Sequence, residues 1–214
     1  MTCGLPSPSS AEAFTETTVR LADVPLWYHV YSTKAYPATR PDSFAEGWGD
    51  TRFAPLQQPD GTAVHTYYAA SSAEGAYMES VLHDVALDPP GQFDVGELAH
   101  FRLAQVVLPD TIRCVSFHTP YLPKLGLSRP QLIDSLPACY PEARAWAQAA
   151  YLQCPRAQAL AYGSRRNDAA RCVMLFKQRL PGPPCKVLAD EPLALNPRRE
   201  EVLALIRRLG IHEI

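Results

Sequence analysis

The stretch YYAASSAEGAYMES, residues 67–80, leads from a strand directly into a helix and sets one acid, Glu79, on that helix. Residues 63–70, AVHTYYAA, read as the strand. Ser71 and Glu74 have the spacing of a capping box, so a helix is predicted over 72–86. Apolar positions 78, 81, 82 and 85 form its buried stripe, and Glu79 lies about 100° round from Met78, on the shoulder of that stripe. Glu79 can therefore point toward the junction between helix and strand.

The rest of the chain favours one α+β domain. Its 214 residues suffice for one substantial domain and are short for two. Its 21 prolines favour short elements over a helical bundle. Residues 1–20, rich in Ser, Thr, Pro and Ala, are expected to be loosely ordered, and residues 21–214 to form the domain. Further strands are predicted over 25–32, 100–108, 111–117, 159–164 and 171–176, and helices over 129–136, 141–153 and 197–210, the last with Gly210 as its C-cap.

Composition argues against several functional classes. The net charge of −2 provides no basic field for nucleic acid. No apolar run approaches the roughly 20 residues of a membrane helix, and the N-terminus has no signal-peptide pattern, so a cytoplasmic protein is expected. The six cysteines contain no C-x-x-C motif, which favours reduced thiols and predicts no metal site.

Common catalytic signatures are also missing. Ser164 does not stand in a G-x-S-x-G elbow, and no glycine-rich phosphate loop occurs. His83 follows Glu79 by four residues, so by spacing alone Glu79 could be an exposed helical charge in an i,i+4 contact. Two upstream residues indicate instead that Glu79 belongs to a functional site. Tyr68 ends the preceding strand eleven residues before Glu79, and Arg52 lies in the long 33–61 loop, with a planar fork that suits a phosphate or carboxylate.

In this arrangement the chain resembles the RES-domain toxins of bacterial toxin–antitoxin systems. Members show a first strand Leu-Tyr-Arg, a loop ending Gly-Gly-Arg-Phe, a Tyr-x-Ala strand end with Glu eleven residues after its Tyr, and a Tyr-x-Ser-Arg segment before an apolar strand. The matching stretches, in the same order, are WYHVYS, WGDTRFAP, TYYAASSAEGAYMES and ALAYGSRRNDAARCVMLF. They span about residues 26–176, most of the chain.

The resemblance implies a fold similar to the diphtheria-toxin-like ADP-ribosyltransferases, with a split mixed or antiparallel sheet and helices packed around it. NAD would be the substrate, with no further cofactor. The implied reaction is cleavage of the nicotinamide–ribose bond by water or phosphate, which would deplete cellular NAD. An ADP-ribosyltransferase acting on a protein is the first alternative, and a catalytically silent NAD-binding or interaction module is the second. A helix-turn-helix antitoxin is the expected partner, and a homodimer stays open.

The resemblance also assigns roles to residues. The Glu79 carboxylate would stabilise the positive charge that develops on the ribose, as in glycosidases. Tyr68 would stack on the nicotinamide ring, and Arg52 would clamp the pyrophosphate. Ser164 would bind NAD or orient Glu79, and Arg165 is a lesser candidate for the phosphates.

Two departures from the family pattern stand out. His29 falls where the family has its first-strand Arg, which replaces a permanent cation by a titratable ring. We expect His29 to hold a ribose hydroxyl, in a His–Tyr–Glu set similar to that of the diphtheria-type enzymes. Asp50-Thr51 replaces the Gly-Gly before the loop Arg, which disfavours a close backbone approach to phosphate.

Overall fold

The computed structural model describes residues 3–34, 36–183 and 185–214. The helices are α1 (Ala73–Met78), α2 (Arg129–Leu132), α3 (Tyr140–Gln153) and α4 (Arg198–Arg208), and four short 3-10 helices cover Val95–His100, Thr119–Leu125, Pro137–Cys139 and Lys177–Arg179. The strands are β1 (Glu16–Arg20), β2 (Trp27–Ser32), β3 (Leu56–Gln57), β4 (Ala63–Val64), β5 (Thr66–Ala70), β6 (Gln92–Phe93), β7 (Phe101–Val107), β8 (Thr111–Ser116), β9 (Ala159–Gly163), β10 (Arg171–Phe176), β11 (Lys186–Pro192) and β12 (His212–Glu213).

Eight of these strands form one mixed sheet in the order β1-β8-β9-β10-β5-β2-β7-β11. Neighbouring strands are antiparallel except β8 and β9, which are parallel. β2 pairs with β7 over six residues but with β5 only at Tyr28↔Ala70. The sheet is therefore split between β2 and β5, and the predicted α+β class with a mixed sheet is confirmed.

The two faces of the sheet carry separate cores, because side chains alternate along each strand. On β5, Tyr68 and Ala70 pack with the first core, whereas Tyr67 and Ala69 pack with the second. The buried helix residues belong to the first core, among them Met78, Trp146 and the α4 positions Val202, Leu203, Leu205 and Ile206. The helices thus lie on one face, and the site described below lies on that face.

The helix predicted over 72–86 is much shorter than expected. Helix α1 ends at Met78, and residues 79–84 continue as turns. Its N-cap is Ser72, whose Oγ accepts from the Gly75 amide at 3.0 Å, so the prediction of Ser71 as the cap is wrong. Beyond Met78, Ser80 donates its hydroxyl to the Ala76 carbonyl at 2.5 Å, a local bond that competes with helix continuation. Helix α2 is also short, four residues rather than the eight predicted.

The N-terminal segment differs from the expectation of loose order. Strand β1 pairs with β8 over five residues, and Leu5 is buried in the first core. Trp146 donates its indole N–H to the Pro6 carbonyl at 2.6 Å, which fixes the segment along α3. Cys3 is disulfide-bonded to Cys139, so the prediction of reduced thiols is wrong for this pair. Spacing along the chain could not indicate it, because packing on α3 brings the two together across 136 positions.

Strand β11 was not predicted either, because its sequence KVLADEP has neither strict alternation nor an apolar run. It forms an edge of the sheet beside β7. In the residues that the structure describes, no helix combines the length and apolar character that a membrane span requires.

Candidate active site

A cavity of about 520 Å³ opens where the sheet splits between β2 and β5. Its walls come from distant parts of the chain: β2 (Tyr28, His29, Val30), the loop before β3 (Asp50, Thr51, Arg52, Phe53), β5 (Tyr68, Ala69, Ala70), α1 and its following turn (Ala76, Glu79, Ser80, His83, Asp84), the start of α3 with the residues before it (Pro137, Tyr140), and Tyr162 and Cys172 from β9 and β10. Arg52, Tyr68, Glu79 and His29, predicted to form one site, all belong to this lining.

Glu79 lies at the C-cap of α1, and one of its carboxylate oxygens is fixed in place. Oε1 accepts from the Ser164 hydroxyl at 2.6 Å and from the Arg165 amide at 2.9 Å. No donor to Oε2 occurs in the described part of the chain. The carboxylate is therefore oriented by one oxygen, which leaves the other for a ligand in the cavity.

Ser164 is wholly buried and does not line the cavity. Besides donating to Glu79, its Oγ accepts from the amides of Arg166 at 3.1 Å and Asn167 at 3.0 Å, which closes a tight turn after β9. Arg129 reaches over and donates to the Ser164 carbonyl at 2.7 Å. Of the two roles considered for Ser164, this position corresponds to orienting Glu79 rather than binding the ligand.

Arg52 is a buried guanidinium without an acceptor. The residue is 6 % exposed, and neither Nε nor Nη2 has a hydrogen-bond partner among the described residues. The guanidinium carbon lies 5.7 Å from the Phe53 ring centroid and 5.8 Å from that of Tyr140. Aromatic contacts of this kind compensate only part of the cost of burying a cation. The cavity wall thus holds a positive charge suited to an anionic ligand.

Tyr68 projects from β5 on the same face as Glu79's helix, and its hydroxyl lies 2.8 Å from the Thr51 hydroxyl. Burial raises the pKa of Tyr68 well above its usual value, so the ring stays neutral. The Asp50-Thr51 pair, a departure from the family pattern, ties the loop down: Asp50 pairs with Arg144 of α3, and Thr51 Oγ1 accepts from the Ala54 amide at 3.1 Å. The loop is thereby held beside Tyr68.

His29 belongs to the cavity lining, but its ring packs toward the opposite core. Its ring stacks 4.1 Å from the Tyr67 ring and 5.7 Å from the Tyr31 ring, and both tyrosines belong to the core on the opposite face. Its neighbours Tyr28 and Val30 pack with the first core instead. The alternation along β2 therefore directs the imidazole away from Glu79's side of the sheet.

The His29 ring nevertheless closes the split in the sheet. Nδ1 lies 2.6 Å from the Tyr68 carbonyl, and since a carbonyl only accepts, Nδ1 carries the proton. Burial lowers the pKa of His29 to about 4, and the Tyr68 carbonyl and Asp190, which favour the protonated ring, limit this decrease. The ring is neutral at pH 7. His29, where the family has an Arg, thus supplies a bridge between β5 and β2, and its contact with a ribose hydroxyl stays a prediction.

Arg165 contributes its backbone amide to Glu79, but its side chain is outside the cavity lining and makes no hydrogen bond or ion pair in the described residues. The neighbouring Arg166, which the sequence did not single out, has a larger structural role. Its guanidinium donates to the carbonyls of His83, at 2.9 Å, and Val85, and so determines the path of the turn after α1.

Asp84 and Tyr140, which the sequence did not identify, line the cavity beside His83. His83 Nδ1 lies 2.7 Å from Asp84 Oδ1, and His83 Nε2 lies 3.3 Å from the Tyr140 hydroxyl. The i,i+4 contact considered between Glu79 and His83 does not form, because α1 ends before it. A His-Asp dipeptide was the only local signal for this group, and Tyr140 could be found only from the fold.

The cavity thus combines an oriented carboxylate, a buried guanidinium and a neutral aromatic side chain. That set can bind a ligand with an anionic part near Arg52 and a part near Glu79 on which positive charge develops. In the part of the chain that the structure describes, no group of three His, Cys, Asp or Glu side chains is placed to hold a metal ion.

Comparison with known proteins gives one family and a shared fold. The model of the RES domain matches residues 25–196. The fold is similar to that of a chain in the crystal structure of the M. tuberculosis MbcT-MbcA toxin-antitoxin complex, with a TM-score of 0.59 and 17 % identity over 92 % of this chain and 91 % of that one. The sequence has no significant match among curated proteins.

Proposed function

The chain belongs to the RES domain family, and from this premise we propose that it is a toxin that cleaves the nicotinamide–ribose bond of NAD. The observation that carries the proposal is the pairing, in one cavity of about 520 Å³, of the oriented Glu79 carboxylate with the acceptor-free Arg52 guanidinium. NAD offers both an anionic pyrophosphate and a glycosidic bond that gains positive charge as it breaks. The Arg52 guanidinium suits the pyrophosphate, and the Glu79 carboxylate suits the ribose on which the charge develops.

Glu79 would act on the ribose. The bond breaks through a state with oxocarbenium character, which a nearby carboxylate stabilises by charge and by its hydrogen bond to a ribose hydroxyl. Ser164 and the Arg165 amide hold Oε1, so Oε2 would meet the substrate without reorganisation. Nicotinamide leaves as a neutral molecule, so no strong general acid is required.

Arg52 and Tyr68 would position the substrate. A guanidinium without a protein acceptor gains charge-assisted hydrogen bonds when a pyrophosphate arrives. The neutral Tyr68 ring, anchored through its hydroxyl to Thr51, would stack on the nicotinamide and hold it in the direction of departure. Transfer of ADP-ribose to a protein is the alternative reaction of the same site, and a silent NAD-binding module is the second alternative.

Partner and fold family are proposals of the same kind. Likeness to a toxin–antitoxin complex supports an antitoxin protein as the partner of this chain, and we infer the helix-turn-helix type from the resemblance of the sequence. Similarity of the split sheet to the diphtheria-toxin-like ADP-ribosyltransferase fold belongs to the proposal too, as does an NAD-binding domain over 21–214.

The test is nicotinamide released from NAD by the purified protein, measured by chromatography with and without phosphate. Glu79→Gln keeps the shape of the side chain and removes its charge, so kcat should fall by about 100-fold or more while NAD binding persists. Glu46→Gln, at an exposed position outside the cavity, is the matched control and should leave the rate unchanged. Release by Glu79→Gln at the wild-type rate would refute the assignment. A protein mass gain in lysate would instead identify a transferase.

A further inference from the structure

The cavity contains a second chemical group that the proposed bond cleavage does not use. Asp84, His83 and Tyr140 form a hydrogen-bonded series along its wall, with 2.7 Å from Asp84 Oδ1 to His83 Nδ1 and 3.3 Å from His83 Nε2 to the Tyr140 hydroxyl. We propose that this series is a proton relay that activates a hydroxylic acceptor for attack on the ribose. The inference rests on the proposed function and adds the group that selects between acceptors.

The geometry gives each member of the relay a direction. Asp84 can only accept when ionised, so His83 Nδ1 carries a proton and Nε2 is left as the acceptor. Tyr140 then donates its hydroxyl hydrogen to Nε2, and its oxygen keeps lone pairs for another donor. The orientation is that of a carboxylate–imidazole pair that takes a proton from a hydroxyl.

The surroundings hold these groups against the site. Tyr140 is 5 % exposed, and its ring lies beside the Arg52 guanidinium that is proposed to hold the pyrophosphate. Arg166 fixes the main-chain carbonyl of His83 at 2.9 Å. Asp84 faces solvent at the cavity mouth, with 89 % of its side chain exposed, so a proton delivered to the imidazole can pass to water.

The acceptor O–H gives its proton to the Tyr140 oxygen while Tyr140 gives its own to His83 Nε2. The acceptor oxygen forms a bond to ribose C1′, and the C1′–N bond breaks with its electron pair going to the nicotinamide nitrogen. The products are neutral nicotinamide, ADP-ribose carrying the acceptor oxygen, and an imidazolium opposite the Asp84 carboxylate.

Glu79 is poorly suited to this proton transfer, because it must stay ionised to stabilise the ribose charge, and Oε1 already accepts two hydrogen bonds. Because Glu79 stabilises the ribose charge and the relay removes the proton of the acceptor, loss of the relay should slow reaction with some acceptors more than with others. Water and alcohols must lose a proton to attack, whereas azide is an anion that needs no base.

The experiment compares His83→Gln, Tyr140→Phe and wild type for nicotinamide release, with water alone and with added azide. We expect both variants to lose about 100-fold of the hydrolytic rate, the usual size of a general-base contribution. Azide should restore the rate of each variant to within tenfold of wild type and give azido-ADP-ribose, detected by mass spectrometry. His212→Gln, at an exposed site in β12, should behave as wild type.

The outcomes separate the two proposals. Unchanged hydrolysis in His83→Gln overturns the relay, and so does a rate that stays low with azide, since the residue would then support folding or bond cleavage. Loss of NAD binding by the variants, measured by calorimetry, overturns it as well. Wild type that releases no nicotinamide with either acceptor refutes the proposed function itself.

Discussion

Replacing Arg52 by methionine should stabilise the free protein and weaken its hold on the ligand. Nε and Nη2 are buried without acceptors in the described residues, and an unsatisfied buried polar group costs about 1–3 kcal/mol. Loss of the contacts with the Phe53 and Tyr140 rings offsets part of the gain, at about 0.5–1 kcal/mol each. For two such atoms, less two ring contacts, a net increase of about 0–5 kcal/mol in the free energy of unfolding is expected, centred at about 2.5 kcal/mol.

The ligand should stabilise wild type more than it stabilises the variant. ADP-ribose at a hundred times its dissociation constant should stabilise wild type by about 2.7 kcal/mol through mass action. Without the guanidinium, loss of hydrogen bonds worth about 1.5–3 kcal/mol weakens binding by about 10- to 150-fold. The same ligand concentration should then add less than about 1.5 kcal/mol to the variant.

The assay is urea unfolding followed by the fluorescence of the three tryptophans, with and without ADP-ribose. Arg156→Met, at an exposed arginine away from the cavity, is the control and should change neither quantity by more than about 0.5 kcal/mol. If Arg52→Met loses more than about 1 kcal/mol of stability and ADP-ribose stabilises it as fully as wild type, the buried cation has a structural role and does not hold the ligand.

Two other predictions concern Ser164 and His29. Ser164→Ala removes the hydrogen bond that orients Glu79 and leaves two amides without their acceptor. The free energy of unfolding should therefore fall by about 2–4 kcal/mol, measured by urea unfolding, and kcat for nicotinamide release by at least about tenfold. An unchanged kcat would contradict the orienting role. Because burial lowers the pKa of His29 from 6.5 to about 4, the unfolded chain binds the extra proton between these values, so stability should be full above about pH 6.5 and fall by about 3 kcal/mol as pH drops to 4. His29→Gln should flatten that part of the stability curve, and an unaltered curve would show that the ring is solvated.

Elements with a strong local pattern were predictable from the sequence. The strands around residues 25–32, 159–164 and 171–176 and the helices α3 and α4 lie within a residue or two of their predicted bounds. In α3 and α4 the period of apolar side chains agrees with the buried face, whereas β9 and β10 are apolar runs buried on both faces. The C-cap of α4 is Leu209, and Gly210, predicted as the C-cap, is the next residue, with a left-handed φ of +71°.

Elements that depend on distant partners were not predictable. Helix α1 stops early where Arg166, from the turn after β9, binds the carbonyls of His83 and Val85. β1 and β11 are edge strands whose sequences carry little apolar signal, and they exist by pairing with β8 and β7. The Cys3–Cys139 bond likewise joins segments that only packing brings together.

In the candidate site, too, some features could be predicted from the sequence and others depended on distant contacts. The order and spacing of the motifs identified Arg52, Tyr68, Glu79 and Ser164 as one group, because the residue types carry the chemistry whatever their exact orientation. Tertiary structure alone decided which way each side chain points. It buried Ser164 behind Glu79, turned His29 toward the opposite core, and brought Tyr140 to His83. The physical reason is that chemical type is local to a residue, whereas burial, partner and direction follow from contacts between residues far apart in the chain.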